Sequence, residues 1–274
     1  MTDAAPCSVC VTITAVRGSA PREAGACMLV RPHDTEGSIG GGRLEYDAIA
    51  TARRWLSAWT VPAAQPEAIS ETAALGPHLG QCCGGVVTLR YQPWFEPALP
   101  PPPPLFHLQL HGAGHVGRAL VAILATLPCV IDWIDSRADA FTPGTSATPA
   151  TPAQITRRSV DPPESAVAEA PPGCRFLVMT HSHALDAAIT AAALQRPDAG
   201  PVGLIGSATK RARFEQRWRR HGIAEQAITR LICPIGVAGI PAKQPAVLAI
   251  AIAAQLLQLV PEQGQEVEGR SSFL

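Results

Sequence analysis

Five consecutive prolines, Pro100 to Pro104, divide this chain. Each fixes φ near −65° and none offers a backbone N–H, so the run is extended, covers about 3 Å per residue and cannot join a sheet. Whatever folds on either side must therefore bury its own core. We place a first domain over residues 1–93, a proline-rich linker over 94–104 and a second domain over 105–274. With 47% hydrophobic and 16% charged residues in 274, the chain holds enough apolar surface for both.

Beyond the prolines, strand-like and helix-like runs alternate. Phe106–Leu110, Cys129–Ile134, Phe176–Thr180 and Val202–Ile205 read as strands, and Gly112–Thr126, Asp186–Leu194 and Lys210–His221 as helices. Such alternation predicts a Rossmann-like, doubly wound parallel sheet. The stretch from Phe141 to Pro172 reads mostly as loop, with a weak strand around Ile155, and Val247 to Val260 as a buried helix. Before the prolines the pattern predicts a small α+β domain. Val9–Val16 and Cys27–Val30 form a hairpin around Gly18-Ser19-Ala20-Pro21, and Val86–Tyr91 is a further strand. After Gly40-Gly41-Gly42, the residues Leu44, Ala48, Ala52, Trp55, Leu56 and Trp59 line one face of a helix.

The loop His111-Gly112-Ala113-Gly114-His115-Val116-Gly117 follows a predicted strand and opens a helix, a context in which glycines let helix amides approach a phosphate. Asp135 closes the next strand, where such folds place an acid on a ribose hydroxyl. The alternative is that the glycines serve only tight helix–sheet packing and Asp135 is an ordinary strand end. Thr180-His181-Ser182-His183 and Asp186 fall at the carboxyl edge of the same sheet. There, paired imidazoles suit a pterin or phosphate, or proton transfer near neutral pH; the alternative is one capping and one solvated histidine. Of the basic run from Lys210 to Arg220, only Lys210, just after Gly206-Ser207, is placed to meet a ligand.

Cys82 and Cys83 sit in a glycine-flanked loop, where a thiolate can coordinate a soft metal or accept sulfur. Spacing alone does not separate this from two small buried hydrophobes. Cys7 and Cys10 form a lone C-x-x-C that we read as a frayed terminus. Cys27, Cys129, Cys174 and Cys233 lie in apolar runs and are assigned to packing. Lys plus Arg equal Asp plus Glu at 22 each, which argues against a global field toward nucleic acid or an anionic membrane. The N-terminus lacks a secretory pattern and no apolar run reaches the roughly 20 residues of a membrane helix, so a cytoplasmic protein with reduced thiols is expected.

Three segments of the first domain, Gly18-Ser19-Ala20-Pro21-Arg22-Glu23-Ala24-Gly25, Gly37-Ser38-Ile39-Gly40-Gly41-Gly42-Arg43-Leu44-Glu45 and Gly80-Gln81-Cys82-Cys83-Gly84-Gly85, resemble the XdhC/CoxI family. In the second domain His111 to Gly117, Thr180 to Asp186, Leu204-Ile205-Gly206-Ser207 with Lys210, and Cys233-Pro234-Ile235-Gly236 are similar to its Rossmann half. The resemblance spans roughly residues 9 to 260. It implies an accessory factor rather than an enzyme of turnover. Such a factor binds molybdenum cofactor (molybdopterin), holds it while a cysteine desulfurase supplies a terminal sulfur, and passes it to xanthine dehydrogenase. It maps the family's Cys-Gly-Gly position onto Cys83, a candidate contact to the molybdenum centre, with Cys82 beside it. We expect Arg22, Arg43 and the amides of Gly40, Gly41 and Gly42 to meet the cofactor's phosphate. Gly112, Gly114, His115, Gly117, Asp135, His181, His183, Asp186, Ser207 and Lys210 complete the candidate set. The chain departs from the family at Ser182, where an acid is common, and at Gln244, where a Glu is common. Two other readings stand beside this one: an NAD(P)-dependent oxidoreductase using the glycine loop and Asp135, and an adaptor that binds no cofactor. The Val247–Val260 helix and the proline spacer also suit a homodimer.

Overall fold

The structure is a computed structural model that describes residues 8–58, 67–76, 84–100, 102–141, 151–240 and 243–260. The chain forms two compact units, Met1–Pro100 and Pro101–Leu274, divided inside the proline run.

In the first unit, β1 (Ser8–Arg17), β2 (Cys27–Val30), β3 (Thr35–Gly37), β4 (Ile69–Ala74) and β5 (Val86–Trp94) form an antiparallel sheet of order β3-β2-β1-β5-β4. The alternation that predicts the hairpin sets the faces. Val9, Val11 and Ile13 of β1, with Met28, Val30, Val87, Leu89 and Tyr91, bury themselves against Leu44, Ala48 and Ala52 of α1 (Gly42–Ala58). Those three helix residues repeat every four positions and so share one stripe. Cys10, expected in a frayed terminus, lies within β1 and is 5% exposed, because the strand begins at Ser8 and pairs on both sides. Cys7 and Trp59 lie outside the described residues.

In the second unit, β6 (His107–His111), β7 (Val130–Asp135), β8 (Gln154–Ser159), β9 (Arg175–Val178), β10 (Val202–Leu204) and β11 (Leu231–Ile232) are all parallel, in the order β11-β10-β9-β6-β7-β8. Leu108 and Leu110 of β6 face α2 (His115–Leu124) and α6 (Pro245–Gln258). Phe176 and Val178 of β9 face the opposite layer, built from α3 (His183–Gln195), α4 (Ala208–Arg220) and α5 (Glu225–Ile228). The sheet is thus covered on both faces, as a parallel sheet requires. The chain runs outward from β6 through β7 to β8, then returns to β9 on the other side of β6. Between β6 and β9 the winding reverses, the position at which folds of this class open a crevice beyond the carboxyl ends of the strands. No helix among the described residues is long and apolar enough to cross a membrane.

One glycine at that reversal is sterically obligatory. Gly112 has φ +119°, and a Cβ there would stand 2.3 Å from the carbonyl oxygen of Met179. Gly114 has φ −75° and open space around it. Replacing Gly112 by alanine is therefore expected to cost about 2–3 kcal/mol of stability in denaturant titration, while Gly114→Ala stays within about 0.5 kcal/mol.

Candidate functional site

Two groups of loops gather the sequence-derived candidates, one in each unit. In the second unit Gly112, Ala113 and Gly114 carry the chain from β6 into α2. Trp133 Nε1 donates to the Gly112 carbonyl at 3.1 Å, and a Cβ on Gly117 would lie 2.3 Å from that same oxygen, so Gly117 serves close packing of helix on strand. α2 begins at Gly114 without a side-chain cap, and Gly114 and His115 are exposed. The first amides of a helix have no intrahelical partner and face whatever lies beyond it.

Asp135 departs from expectation. Its Oδ2 accepts from the Ala113 amide at 2.7 Å and from Arg137 Nη2 at 2.9 Å, and its Oδ1 accepts from the Arg137 amide at 3.0 Å and Nε at 2.9 Å. Burial works against the charge, but Arg137 and the two amides outweigh it and hold the acid at about 2. A carboxylate accepting four hydrogen bonds within the protein is engaged in holding the glycine loop. It does not stand free for a ribose hydroxyl, as the strand-end placement led us to expect.

Asp186 and Lys210 meet each other. Asp186, 1% exposed, accepts from the Thr180 amide at 2.9 Å and hydroxyl at 2.7 Å on Oδ1, and from Lys210 Nζ at 2.6 Å on Oδ2. Lys210 also donates to the Ile205 carbonyl at 2.8 Å and lies 5.5 Å from the Phe214 ring centre. This buried pair ties the loops leaving β9 and β10. Ser182 and Ser207 cap α3 and α4, accepting from the Ala184 and Lys210 amides at 3.2 Å. His181 and His183 are exposed, with His183 edge-on to Phe214 at 6.4 Å. The thiol of Cys233, assigned to packing from sequence, stands 3.4 Å from where a Gly206 Cβ would be, at this same edge. The outward-facing candidates here are Gly114, His115, His181, His183 and Ser207, the last with its hydroxyl engaged in capping α4.

In the first unit the described parts of the three segments singled out from sequence, including Gly84 and Gly85 of the third, converge. A Cβ on Gly40 would lie 2.6 Å from Pro21 Cβ, and one on Gly85 would lie 2.3 Å from the Ser19 carbonyl oxygen. Arg22 Nη1 donates to the Ser38 carbonyl at 3.4 Å and Nη2 pairs with Glu23 at 3.0 Å. Arg43 pairs with Asp47 at 2.9 Å and lies over the Tyr46 ring at 5.5 Å. Both guanidinium groups are largely exposed. Cys82 and Cys83 lie outside the described residues; Gly84 and Gly85, which follow them in the chain, are exposed and buried respectively.

The glycine run opening α1 also departs from expectation, because the protein supplies its own anion there. Glu45 Oε2 accepts from the Ser38 hydroxyl at 2.6 Å, the Ile39 amide at 3.0 Å and the Gly41 amide at 3.1 Å, while the Gly40 amide donates to Ser38 Oγ at 3.0 Å. Burial opposes the carboxylate, but these donors hold it below the usual range. The amides of Gly40 and Gly41, expected to meet a phosphate, are thus used to hold the turn. Glu45, three residues into the helix, is a residue the reading for ligands passed over. It reaches back to the start of the helix as the acid of a capping box does, but Gly42 stands where that motif carries Ser or Thr, so the sequence gives no capping-box signal. Among the described residues no group of three or more His, Cys, Asp or Glu side chains is placed to hold a metal ion.

Residues 108–256 match a family model described as the XdhC Rossmann domain, and residues 5–60 match that of the XdhC and CoxI family. The chain belongs to the XdhC/CoxI family. It is 30% identical over 247 residues to the uncharacterized protein YqeB of Escherichia coli (strain K12), a match covering 89% of this chain and 42% of that one. The chain thus spans less than half the length of that relative. A crystal structure of a xanthine dehydrogenase from Bacillus halodurans shares its fold at a TM-score of 0.71 and 19% identity, over 95% of this chain and 93% of that one.

Proposed function

We propose that this protein is an accessory factor for a xanthine dehydrogenase, one that receives molybdenum cofactor, holds it during sulfuration by a cysteine desulfurase and delivers it to the apoenzyme in the cytoplasm. Family membership supports the accessory role. The observation that carries the cofactor reading is the convergence of the Gly18–Gly25 loop, the Ser38–Gly42 turn and the chain at Gly84–Gly85, immediately after Cys83. Arg22 and Arg43 suit the cofactor's phosphate. Each pairs with an exposed carboxylate, and exposed pairs of this kind are worth about 0–1 kcal/mol, so exchanging that partner for a ligand anion is cheap. Cys83 is the group we assign to the molybdenum centre of this cargo, with the sulfur it carries left exchangeable. The exposed start of α2 with His115, and His181 with His183, offer a second polar edge in the Rossmann unit. The internal engagement of Asp135 weighs against a nicotinamide dinucleotide there.

The test is anaerobic equilibrium binding of molybdenum cofactor to the wild type, Cys83→Ala and Arg22→Ala, with NAD and NADP titrated in parallel. Cys83→Ala is expected to weaken cofactor binding by about tenfold or more, near 1.4 kcal/mol, with no nicotinamide bound. Nicotinamide binding without cofactor binding would overturn the proposal. Delivery to the apoenzyme in cells by a protein that binds no cofactor would replace it with the adaptor reading.

A further inference from the structure

The sheet of the first unit carries a pair of thiols on the face turned away from α1. Val9, Val11 and Ile13 take the helix side, so Cys10 and Thr12 point to the other. In the β1–β2 ladder Cys27 is opposite Thr12, and Leu29 is opposite Cys10. Cys27 therefore lies diagonally across from Cys10 on the same face. Cys10 is buried and Cys27 half-buried. The two thiols are close enough that each shifts the other's proton affinity, and Cys10 Sγ is 3.6 Å from Thr12 Oγ1. Burial keeps both protonated, opposed at Cys27 by the positive charge of Arg22. Arg90 of β5, opposite Thr12, stands on the same face.

These features discriminate between uses of a thiol pair. Protonated, desolvated thiols are poor nucleophiles, which argues against a reactive oxidation site. Diagonal neighbours in an antiparallel ladder have Cα atoms about 7–8 Å apart, whereas disulfides usually span about 4.4–6.8 Å. A metal ion at about 2.3 Å from each sulfur bridges a wider gap than a bond of about 2.05 Å. Zinc asks for four ligands, and no described group of three or more candidate side chains exists to supply them. A soft d10 cation of single charge is satisfied by two thiolates.

We propose that Cys10 and Cys27 form a two-thiolate site for a soft monovalent cation, with Cu(I) as the fitting ion. Binding displaces both thiol protons to solvent, and the resulting bis-thiolate complex carries one negative charge beside Arg22 and Arg90. The site shares Arg22 with the cofactor reading but none of its thiols, so the Cys27 and Cys82/Cys83 variants separate the two.

The experiment titrates Cu(I) anaerobically into the reduced full-length protein against a chromophoric Cu(I) chelator, for the wild type, Cys27→Ser, and Cys82→Ser/Cys83→Ser. Because Cys27 is only half-buried, its serine variant is the main probe, with circular dichroism confirming its fold. Iodoacetamide labelling read by peptide mass spectrometry supplies a measurement on the unmutated protein. One equivalent of Cu(I) is expected to bind the wild type and the Cys82/Cys83 variant alike, at least 100-fold more weakly in Cys27→Ser. Bound Cu(I) is also expected to slow the alkylation of Cys27, the half-buried thiol of the pair, relative to the metal-free protein. Equal affinity in the wild type and Cys27→Ser overturns the proposal, as does loss of the ion only in the Cys82/Cys83 variant. So does ready formation of a Cys10–Cys27 disulfide without retention of the ion.

Discussion

Acidifying the protein from pH 6.5 is expected to destabilise the Rossmann unit through His111 alone by about 2 kcal/mol at pH 5 and about 4 kcal/mol at pH 3.5. His111 ends β6 and is fully buried, and burial pushes its imidazole down to about 3. The neighbouring bonds fix which nitrogen carries the proton. Gln109 Nε2 donates to the Ala166 carbonyl at 2.8 Å, which turns Gln109 Oε1 toward His111 Nε2 at 2.9 Å. Nε2 is then the donor, and Nδ1 holds a lone pair with no hydrogen-bond partner among the described residues. Protonating Nδ1 would place an N–H and a full charge in the interior, so the folded state takes up its proton later than the unfolded chain does. A group whose folded value is depressed contributes stability that is complete above the unfolded value and is lost as pH falls toward the folded one. Asp135, held at about 2, has the same sign but a lower window, and its contribution is lost only below about pH 4. Urea unfolding followed by tryptophan fluorescence between pH 5 and 7 therefore isolates the histidine. His111→Gln, which cannot titrate, is expected to flatten the slope in that interval by about one proton. An unchanged slope would mean that His111 is charged or solvated in the native state.

The parts of the fold legible in the sequence were those whose burial leaves a pattern. β9 is covered on both faces and reads as the apolar run Phe176–Val178, β6 and β7 carry Leu108 and Leu110, and Ile131 and Trp133, at alternate positions within one core, and β1 alternates because one face meets α1. The edge strands leave almost no such trace. β4, Ile69–Ala74, is exposed along nearly its whole length and was not expected; β8, Gln154–Ser159, carries two arginines and showed only as a weak strand around Ile155. β3 is three residues long and the Pro163–Glu169 3-10 turn falls in a stretch read as loop. The candidate sites divide along similar lines. Glycine loops announce themselves because backbone geometry demands the residue, as at Gly112. The partners of a charged side chain do not, since they depend on folding that brings distant positions together. Nothing in the spacing of Asp186 and Lys210 says that their side chains meet, and the diagonal placement of Cys10 and Cys27 follows from a strand register that composition does not encode.

Lys210→Met is expected to destabilise the protein by about 3–5 kcal/mol, because it leaves Asp186 charged, 1% exposed and held only by Thr180. The converse change, Asp186→Leu, leaves an ammonium on a long stem that still reaches the Ile205 carbonyl, and its cost should be smaller. Combining the two removes both charges from the interior, and the double variant is expected to recover much of the loss, since an apolar pair of similar volume often matches a buried ion pair in stability. Denaturant unfolding of the four proteins gives the coupling energy directly. Its size decides what Lys210 is for. A coupling of several kcal/mol makes the pair a clamp that holds the β9 and β10 loops in place, and ligand binding at this edge then falls to His115, His181, His183 and the start of α2. A coupling below about 1 kcal/mol would mean that the ammonium leaves Asp186 at little cost, which is what a lysine must do to meet the anionic end of a cofactor.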